Sequence, residues 1–409
     1  MVDPILLEVL RGKLEAIAHD SAQSIIRNGV TPAITDGADC STSIYDARGS
    51  LLSGGGAIAF HWHAGSNGVH KIWEMHGDTL AEGDVFFVND PYAGGGVHAS
   101  DVFIHMPVFA DGEVIAWVGS SAHMIDMGGG AMGSFVPNAT DCFQEAFRLP
   151  PVRLSRAGVE QQDIWSVLRT NSRMPELLEI DTRALIAACY SASQGLADVI
   201  ADYGRSTFLE GCAELLDLSE RVARSRIGEL SPGRYSFMSW AEWWDENYCI
   251  PCTVEVGADS IVFDFTEAPD QTKHFFNSLQ FVVASLLFTQ YCATMVPDLP
   301  PNEGVFRTFE VRCRPGSILD ALPPAPIGLP HLEIGQCAME VAMYALNLAI
   351  AASPGARARK NMSGPGSASA LALQTFSATG LSGQPDGWLM MDAGLSGTSA
   401  GHDRDPGDV

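Results

Sequence analysis

The segment "DVFIHMPVFADGEVIAWVGSSAH", residues 101–123, has the pattern of two strands joined by a tight turn. Apolar residues dominate "DVFIHMPVF" and "EVIAWVGSSAH", and the "ADGE" between them is a hairpin-type turn. Similar short segments with glycine turns precede it, among them "STSIYDARGSLLS" and "DVFFVND". Residues 40–126 are therefore predicted to be rich in β-strands.

Helical patterns lie on both sides of this β-rich segment. Asp3 is predicted to cap a first helix that opens at Pro4, and Asn28-Gly29 to end it in a left-handed conformation. Residues 160–228 carry helical periodicity, with Gly204 closing the second helix there. A second β-rich region begins at "GRYSFMSW", with further helices expected near 277–296 and 334–352. The predicted class is α+β, with mixed β-sheets and packed helices.

A length of 409 residues allows two or three domains. We expect an N-terminal α+β domain with the candidate site at 1–155, a helical region at 156–230 and a second α+β region at 231–409. The chain after Pro354 is rich in Gly, Ser and Ala and ends in "GHDRDPGDV". This end is expected to be loosely held or cut short.

Composition argues against several classes of partner. The 24 basic and 49 acidic residues give a net charge of −25, which repels nucleic acid and anionic membrane surfaces.

The N-terminus lacks the pattern of a signal peptide, and apolar runs such as "FVVASLLF" are too short to span a bilayer. Nine scattered cysteines, with Cys249 and Cys252 in one isolated "CIPC", indicate reduced thiols. A cytoplasmic protein is expected.

Two His-x-x-Asp pairs form the candidate metal site. His98 and Asp101 lie at the loop-to-strand junction that opens one strand of the hairpin, and His123 and Asp126 lie at the end of the other. Imidazole with carboxylate suits Zn²⁺, Mn²⁺ or Fe²⁺, and the absence of thiolate is less typical of a purely structural zinc site. The alternative is that these histidines are ordinary hydrogen-bonded residues at strand ends.

Other polar residues give weaker signals. His61 and His63 in "FHWHAG" would face opposite ways on a strand, so at most one would join a pocket. Asp39 precedes a strand and can point inward, whereas Asp46 lies in a turn. The sequence has no P-loop, no G-x-G-x-x-G between a strand and a helix, and no nucleophile elbow, so ATP is expected to bind elsewhere.

Glycine runs flank the candidate ligands. Gly95 lies in the run at 94–96 and Gly128 in the run at 128–130, and such runs permit close backbone approach. Met124 lies beside the second histidine, and methionine adapts to varied apolar ligands. These three residues are predicted to line a substrate pocket, with core packing as the alternative for Met124.

Several longer motifs point to a known family. "DPILLEVLRGKLEAIAHD", "DCSTSIYDARGSLLS", "NDPYAGGGVHASD" and "PNEGVFRTFEVRCRPGSILDALPPAPI" resemble the hydantoinase B / 5-oxoprolinase family, which also supplies a subunit of ATP-dependent ketone carboxylases. The resemblance covers nearly the whole chain and is strongest from 80 to 155. It implies a multi-domain hydantoinase B-like fold, and family members continue well beyond this chain's end.

The resemblance also implies a ligand set. His98, Asp101 and His123 match the family's metal ligands, and Asp39, in the "D-x-S" run, is the implied fourth. His63 matches the histidine of the family's "HLGS", which is "HAGS" here. A second departure is Met124, which stands where the family usually has a second adjacent histidine, and loss of that histidine can change the substrate class without removing the metal.

The function implied is that of the metal-bearing subunit of an ATP-dependent amidohydrolase for cyclic amides such as hydantoins, lactams or oxoproline. A hydantoinase A-type partner would phosphorylate the amide with ATP, giving a hetero-oligomer. Water activated by a divalent metal, Zn or Mn, would then attack the intermediate, with Asp126 or His63 moving the proton. The alternatives are a subunit of an acetone- or acetophenone-type ketone carboxylase and a non-catalytic scaffold subunit.

Overall fold

The computed structural model describes residues 2–362, 371–379 and 385–393. Its contacts divide the chain into two compact units: Met1–Leu216 with Gln374–Met390, and Asp217–Leu373 with Met391–Val409. The boundaries predicted after residues 155 and 230 do not coincide with this division. Residues 363–370, 380–384 and 394–409, which include the end of the predicted loose tail, lie outside the described residues.

The first unit is built on one antiparallel sheet. Its helices are α1 Pro4–Asn28, α2 Pro32–Thr35, α3 Phe60–His76, α4 Gln162–Asn171, α5 Pro175–Tyr203 and the first part of α6 Arg205–Ile227. Its strands are β1 Cys40–Asp46, β2 Leu51–Gly56, β3 Val85–Val88, β4 Asp101–Ala110, β5 Glu113–His123, β6 Val152–Arg156 and β7 Val159–Glu160. The strand order is β2-β1-β5-β4-β3-β6-β7, and the predicted hairpin β4–β5 lies at its centre.

Both faces of this sheet are covered, because α1 and α5 pack on one face and α3 on the other. Alternate side chains of β4 point to opposite faces. Val102 and Ile104 join the hydrophobic core formed with α5, whereas Phe103 and His105 face α3. The first residue of β4, Asp101, therefore shares the α3 face with Phe103.

The predicted ends of two helices are tested directly by the backbone. The Asp3 side chain accepts hydrogen bonds from the Ile5 and Leu6 amides at the start of α1, as predicted. Gly204 ends α5 with φ 86°, which also agrees. The left-handed stop predicted at Gly29 is wrong, since its φ is −70°. Glycine is needed there because a Cβ would lie 2.6 Å from the Ile34 side chain.

The second unit contains a smaller mixed sheet. Its strands are β8 Gly233–Trp243, β9 Glu246–Val256, β10 Ile261–Asp264 and β11 Phe309–Arg312, in the order β11-β10-β9-β8. Its helices are the rest of α6, α7 Gln280–Met295, α8 Glu303–Phe306 and α9 Ile334–Ala351. The pair β10–β11 is parallel, and α9 packs on β8 and β9. A two-stranded sheet of β12 Leu371–Thr379 and β13 Pro385–Ala393 completes the described chain, and the α+β prediction is confirmed.

Two helices, α5 and α9, have the length and apolar composition that a membrane-crossing helix needs. This is weak evidence, because the core helices of many proteins pass the same test. In α5, Leu185, Ala188 and Leu196 belong to the hydrophobic core of the first unit.

Candidate metal centre

Three donor atoms converge at the open end of the β4–β5 hairpin. Asp101 Oδ1 lies 3.3 Å from His98 Nε2 and 3.4 Å from His123 Nδ1. One ligand atom from each of the three residues lies within 4.8 Å of the other two, and all three residues are buried. The hairpin and its approach therefore bring together three of the four residues that the resemblance implies as ligands.

Local structure explains this convergence. The amide of Asp101 donates to the carbonyl of His98 at 3.0 Å, so the His-x-x-Asp spacing is a tight turn that folds one side chain toward the other. Asp101 opens β4, His123 closes β5, and the two residues are paired across the ladder. Gly96 permits the turn, because a Cβ there would lie 2.1 Å from the Asp101 carbonyl oxygen.

Two distances in the cluster match those between the ligands of a metal ion. In a tetrahedral site with metal–ligand bonds of about 2.0–2.1 Å, neighbouring ligand atoms are about 3.3–3.4 Å apart. The two separations from Asp101 Oδ1 are 3.3 and 3.4 Å. Asp101 Oδ1 thus lies at ligand spacing from each histidine, and the three donor atoms, all within 4.8 Å of one another, form a candidate site for one small divalent cation.

The electrostatics of the cluster favour a bound cation. Burial opposes ionisation of Asp101, but the facing imidazoles of His98, His61 and His123 hold the pKa of this carboxyl well below its usual range. Burial likewise opposes the charged form of His123, but Asp101 and Asp39 raise its pKa above the ordinary value. Two carboxyl groups thus act on one buried point, and a positive charge there is stabilised.

Asp39 lies beside this cluster. Its carbonyl oxygen accepts a hydrogen bond from the His123 amide at 3.2 Å, which continues the pairing of β1 with β5. Burial raises the pKa of its half-buried carboxyl group, with the charge of Asp101 adding to the rise. Among the described residues, the mutually close donors are those of His98, Asp101 and His123, and Asp39 is not in that group. Its role as the fourth ligand stays a prediction.

The histidines of "FHWHAG" lie on a helix, so the strand considered for them in the sequence analysis is wrong. His61 is the second residue of α3, and its Nε2 lies 3.3 Å from Asp101 Oδ2. His63 is half-buried, and burial lowers its pKa to about 3. Residues two apart on a helix point in nearly opposite directions, so His61 and His63 cannot share this position. The proton-transfer role of His63 stays a prediction.

Asp126 anchors a loop. Its carboxylate accepts hydrogen bonds from the amides of Gly128, Gly133 and Arg173 and from the Arg173 guanidinium, at 2.9–3.1 Å. The same guanidinium donates to the carbonyls of Ala131 and Gly129. These contacts favour a structural role for Asp126. Arg173 comes from a distant segment, and no sequence pattern predicts the pair.

The predicted pocket residues are tightly packed. Met124 is 0% exposed and belongs to the core cluster of the first unit. A Cβ at Gly95 would lie 2.5 Å from the Asp90 amide nitrogen, and one at Gly128 would lie 2.4 Å from the Asn171 carbonyl oxygen. These three residues therefore support the loops and the core around the cluster, and their pocket role stays a prediction that these contacts do not favour.

Phe135 is the aromatic neighbour of the cluster. Its ring stacks on His123 at a centroid distance of 5.4 Å and lies 5.7 Å from the ring of His98. The side chain is half-buried. It follows a loop in which Gly133 and Ser134 both have positive φ. Phe135 thus shields two of the three donors on one side, and no local signal in the sequence identifies it.

Comparison with known proteins gives consistent relatives. A β subunit of caprolactamase from Pseudomonas jessenii is 29% identical over 357 residues, which are 85% of this chain and 60% of that one. A crystal structure of ATP-dependent caprolactamase from the same organism superposes with a TM-score of 0.86 at 25% identity, covering 99% of this chain and 69% of that one. The δ subunit of acetophenone carboxylase from Aromatoleum aromaticum is 23% identical over 336 residues, which are 79% of this chain and 48% of that one.

The chain therefore spans about 60% of the length of the caprolactamase subunit that it matches. The model of the hydantoinase B/oxoprolinase family matches residues 3–405, nearly the whole chain. The family inferred from "NDPYAGGGVHASD" and the other motifs is thus confirmed: this chain belongs to the hydantoinase B/oxoprolinase family.

Proposed function

We propose that this chain is the metal-bearing subunit of an ATP-dependent amidohydrolase that opens cyclic amides. The observation that carries the proposal is the buried cluster of His98, Asp101 and His123, whose spacing suits one divalent cation. Membership of the hydantoinase B/oxoprolinase family supports cyclic amides as the substrate class. The likeness to a caprolactamase subunit supports a lactam in particular.

Each residue of the cluster has a distinct task in this proposal. His98 and His123 supply neutral nitrogen ligands, and Asp101 supplies the charged oxygen that offsets the cation. A bound Zn²⁺ or Mn²⁺ supplies Lewis-acid chemistry, polarising a carbonyl or phosphoryl oxygen. Phe135 covers one side of the two imidazoles and limits the access of bulk water, which strengthens the electrostatic interactions of the cluster. Burial lowers the pKa of His63 to about 3, so its imidazole is neutral but only weakly basic at pH 7, which does not favour it over Asp126 as the proton acceptor.

A partner subunit completes the enzyme in this proposal. A lactam carbonyl is deactivated by resonance, and ATP-dependent phosphorylation of its oxygen overcomes this. The sequence carries no P-loop or other phosphate-binding signature, so we assign ATP to a hydantoinase A-type subunit in a cytoplasmic hetero-oligomer. The likeness to a caprolactamase β subunit supports such an assembly.

A carboxylase subunit is the second candidate. The relative named as the δ subunit of acetophenone carboxylase favours it, because that protein also matches most of this chain. In this case the same residues would hold a cation that orients an activated ketone. The two reactions need the same ligands, so the candidates differ in substrate and not in the metal centre.

The test combines metal analysis with an assay of the assembled enzyme. The purified chain should contain about one Zn²⁺ or Mn²⁺ and hydrolyse no ATP alone. With its A-type partner it should couple ATP consumption to the opening of a lactam, a hydantoin or 5-oxoproline. ATP consumption with acetophenone and bicarbonate, and not with the cyclic amides, would instead identify the carboxylase. A chain that binds no metal in the assembled enzyme would be a scaffold, contrary to the proposal.

A further inference from the structure

We propose that His61 is a positioning residue of the metal centre, which holds one oxygen of Asp101 so that the other faces His98 and His123. The inference rests on the proposed function, because it assumes that these three residues hold a cation. His61 lies on α3, outside the hairpin, and the sequence marks it only as one of two alternating histidines of which at most one would join a pocket.

The two oxygens of Asp101 have separate neighbours. Oδ1 lies 3.3 Å from His98 Nε2 and 3.4 Å from His123 Nδ1. Oδ2 points the other way and lies 3.3 Å from His61 Nε2. A carboxyl group with one oxygen held by a donor cannot rotate freely, so Oδ1 stays directed at the two imidazoles.

The imidazole of His61 is itself fixed. The residue is 1% exposed. Its ring meets Phe60 at 4.8 Å and 81°, and Phe103 at 5.4 Å and 68°, so aromatic rings lie at steep angles to it on two sides. Phe103 belongs to β4, two residues from Asp101, and this contact ties the histidine to the strand that carries the carboxylate.

The hydrogen-bonding pattern assigns the donor atom. Within the described part of the chain, the Nδ1 atom of His61 is buried and has no hydrogen-bond partner. A neutral imidazole carries one N–H. Placing it on Nδ1 would bury a donor without an acceptor, whereas placing it on Nε2 lets it donate to Asp101 Oδ2. His61 therefore acts as a hydrogen-bond donor to the carboxylate.

His105 provides a matched control. It lies four residues after Asp101 on the same face of β4 and is 0% exposed, like His61 a buried histidine under α3. Its ring lies 5.9 Å from Phe103 and 6.1 Å from Tyr45. Replacing His105 thus changes the packing beneath α3 without removing a donor to Asp101.

The experiment measures the affinity of the full chain for Zn²⁺ by calorimetric titration after chelator treatment, in four proteins. His61→Leu removes the donor, and we expect it to weaken Zn²⁺ binding by about 10- to 100-fold. His61→Gln restores an N–H donor and should recover most of the affinity. His105→Leu should bind Zn²⁺ as the unmodified chain does. Thermal unfolding of each metal-free protein checks folding, and His61→Phe, which keeps a ring but no donor, replaces His61→Leu if the latter does not fold.

Each other outcome contradicts the proposal. Unchanged binding by His61→Leu would show that Asp101 needs no such support. Equal losses in His61→Leu and His61→Gln, or in His61→Leu and His105→Leu, would mean that packing and not the donor matters. In these cases the unmodified chain still binds Zn²⁺, so the proposed function survives. An unmodified chain that binds neither Zn²⁺ nor Mn²⁺ would overturn both.

Discussion

Asp101 and His123 face each other directly across the β4–β5 ladder, and Asp101 Oδ1 lies 3.4 Å from His123 Nδ1. The first residue of β4 and the last residue of β5 are thus partners, because the register of the hairpin is constant from Val108 to its open end. One bulge, between Val108 and Phe109, lies near the turn. Because a register slip of one residue would turn either side chain to the opposite face, the register of the hairpin is part of the site.

Asp101 should dominate metal binding, because its oxygen is common to both contacts with histidine. We expect Asp101→Asn to weaken Zn²⁺ binding by more than about 100-fold, beyond the usual effect of an indirect neighbour. Calorimetric titration of the chelator-treated chain gives the measurement. The control is Asp36→Asn, which makes the same change at an exposed position outside the cluster and should leave the affinity unchanged. A similar loss in both variants would mean that overall charge, and not ligation, controls binding.

Asp39 can be separated from the three close donors by a graded comparison. Its carboxyl group raises the pKa of His123 but is not among the mutually close ligand atoms. We therefore expect Asp39→Asn to weaken Zn²⁺ binding less than Asp101→Asn does, through loss of a nearby charge. The same titration with both variants decides this. A loss as large as that of Asp101→Asn would instead establish Asp39 as the fourth ligand, as the resemblance implies.

The part of the site that the sequence predicts is the part that is local in the chain. One tight turn joins His98 to Asp101, and one β-hairpin joins Asp101 to His123. Turns and hairpins both have recognisable sequence signals. His61 and Phe135 reach the same point from a helix and a distant loop. Their positions depend on how α3 and residues 126–135 pack, and periodicity does not report packing between distant segments. The alternation in "HWH" also favours a strand, although the segment is helical.

Metal binding should weaken as the pH falls, since the imidazole ligands must be neutral to bind. Burial would lower the pKa of His123, but Asp101 and Asp39 raise it above the ordinary value. The protonated form therefore persists to higher pH than in an ordinary histidine, and protons compete with the metal earlier in an acid titration. As the pH is lowered, we expect the Zn²⁺ affinity to begin to fall while the pH is still above about 6.5, the ordinary pKa of histidine. Titrations across a pH series measure it, and an affinity that stays constant down to pH 5 would contradict this expectation.

Asp126→Asn separates the structural role from the proton-transfer role of this residue. The carboxylate is fully buried and accepts hydrogen bonds from three backbone amides and the Arg173 guanidinium. A side-chain amide in its place leaves the guanidinium poorly paired. We expect a loss of about 1–3 kcal/mol in the free energy of unfolding, because buried hydrogen bonds to Asp126 are lost while the Arg173 side chain stays partly exposed. Chemical denaturation gives this value. Unchanged stability with abolished turnover in the assembled enzyme would support proton transfer by Asp126 instead.

Met124→His tests whether the residue beside His123 contacts substrate. The resemblance implies a histidine at this position, and the sequence alone is compatible with Met124 either lining a pocket or packing the core. The side chain is 0% exposed, and its amide donates to the Ser100 carbonyl at 2.9 Å. Burying an imidazole without a hydrogen-bond partner costs about 1–3 kcal/mol, so we expect Met124→His to lower the free energy of unfolding by that amount.

Substrate preference provides the second measurement for this variant, because a Met124 that contacts substrate affects it and a Met124 that only packs the core does not. If Met124 is only core, the ratio of kcat/KM between a lactam and a hydantoin stays constant in the assembled enzyme while stability falls. Met124→Leu is the control, since a similar apolar volume should cost less than about 1.5 kcal/mol and leave the ratio unchanged. A changed ratio with unchanged stability in Met124→His would place this side chain at the substrate.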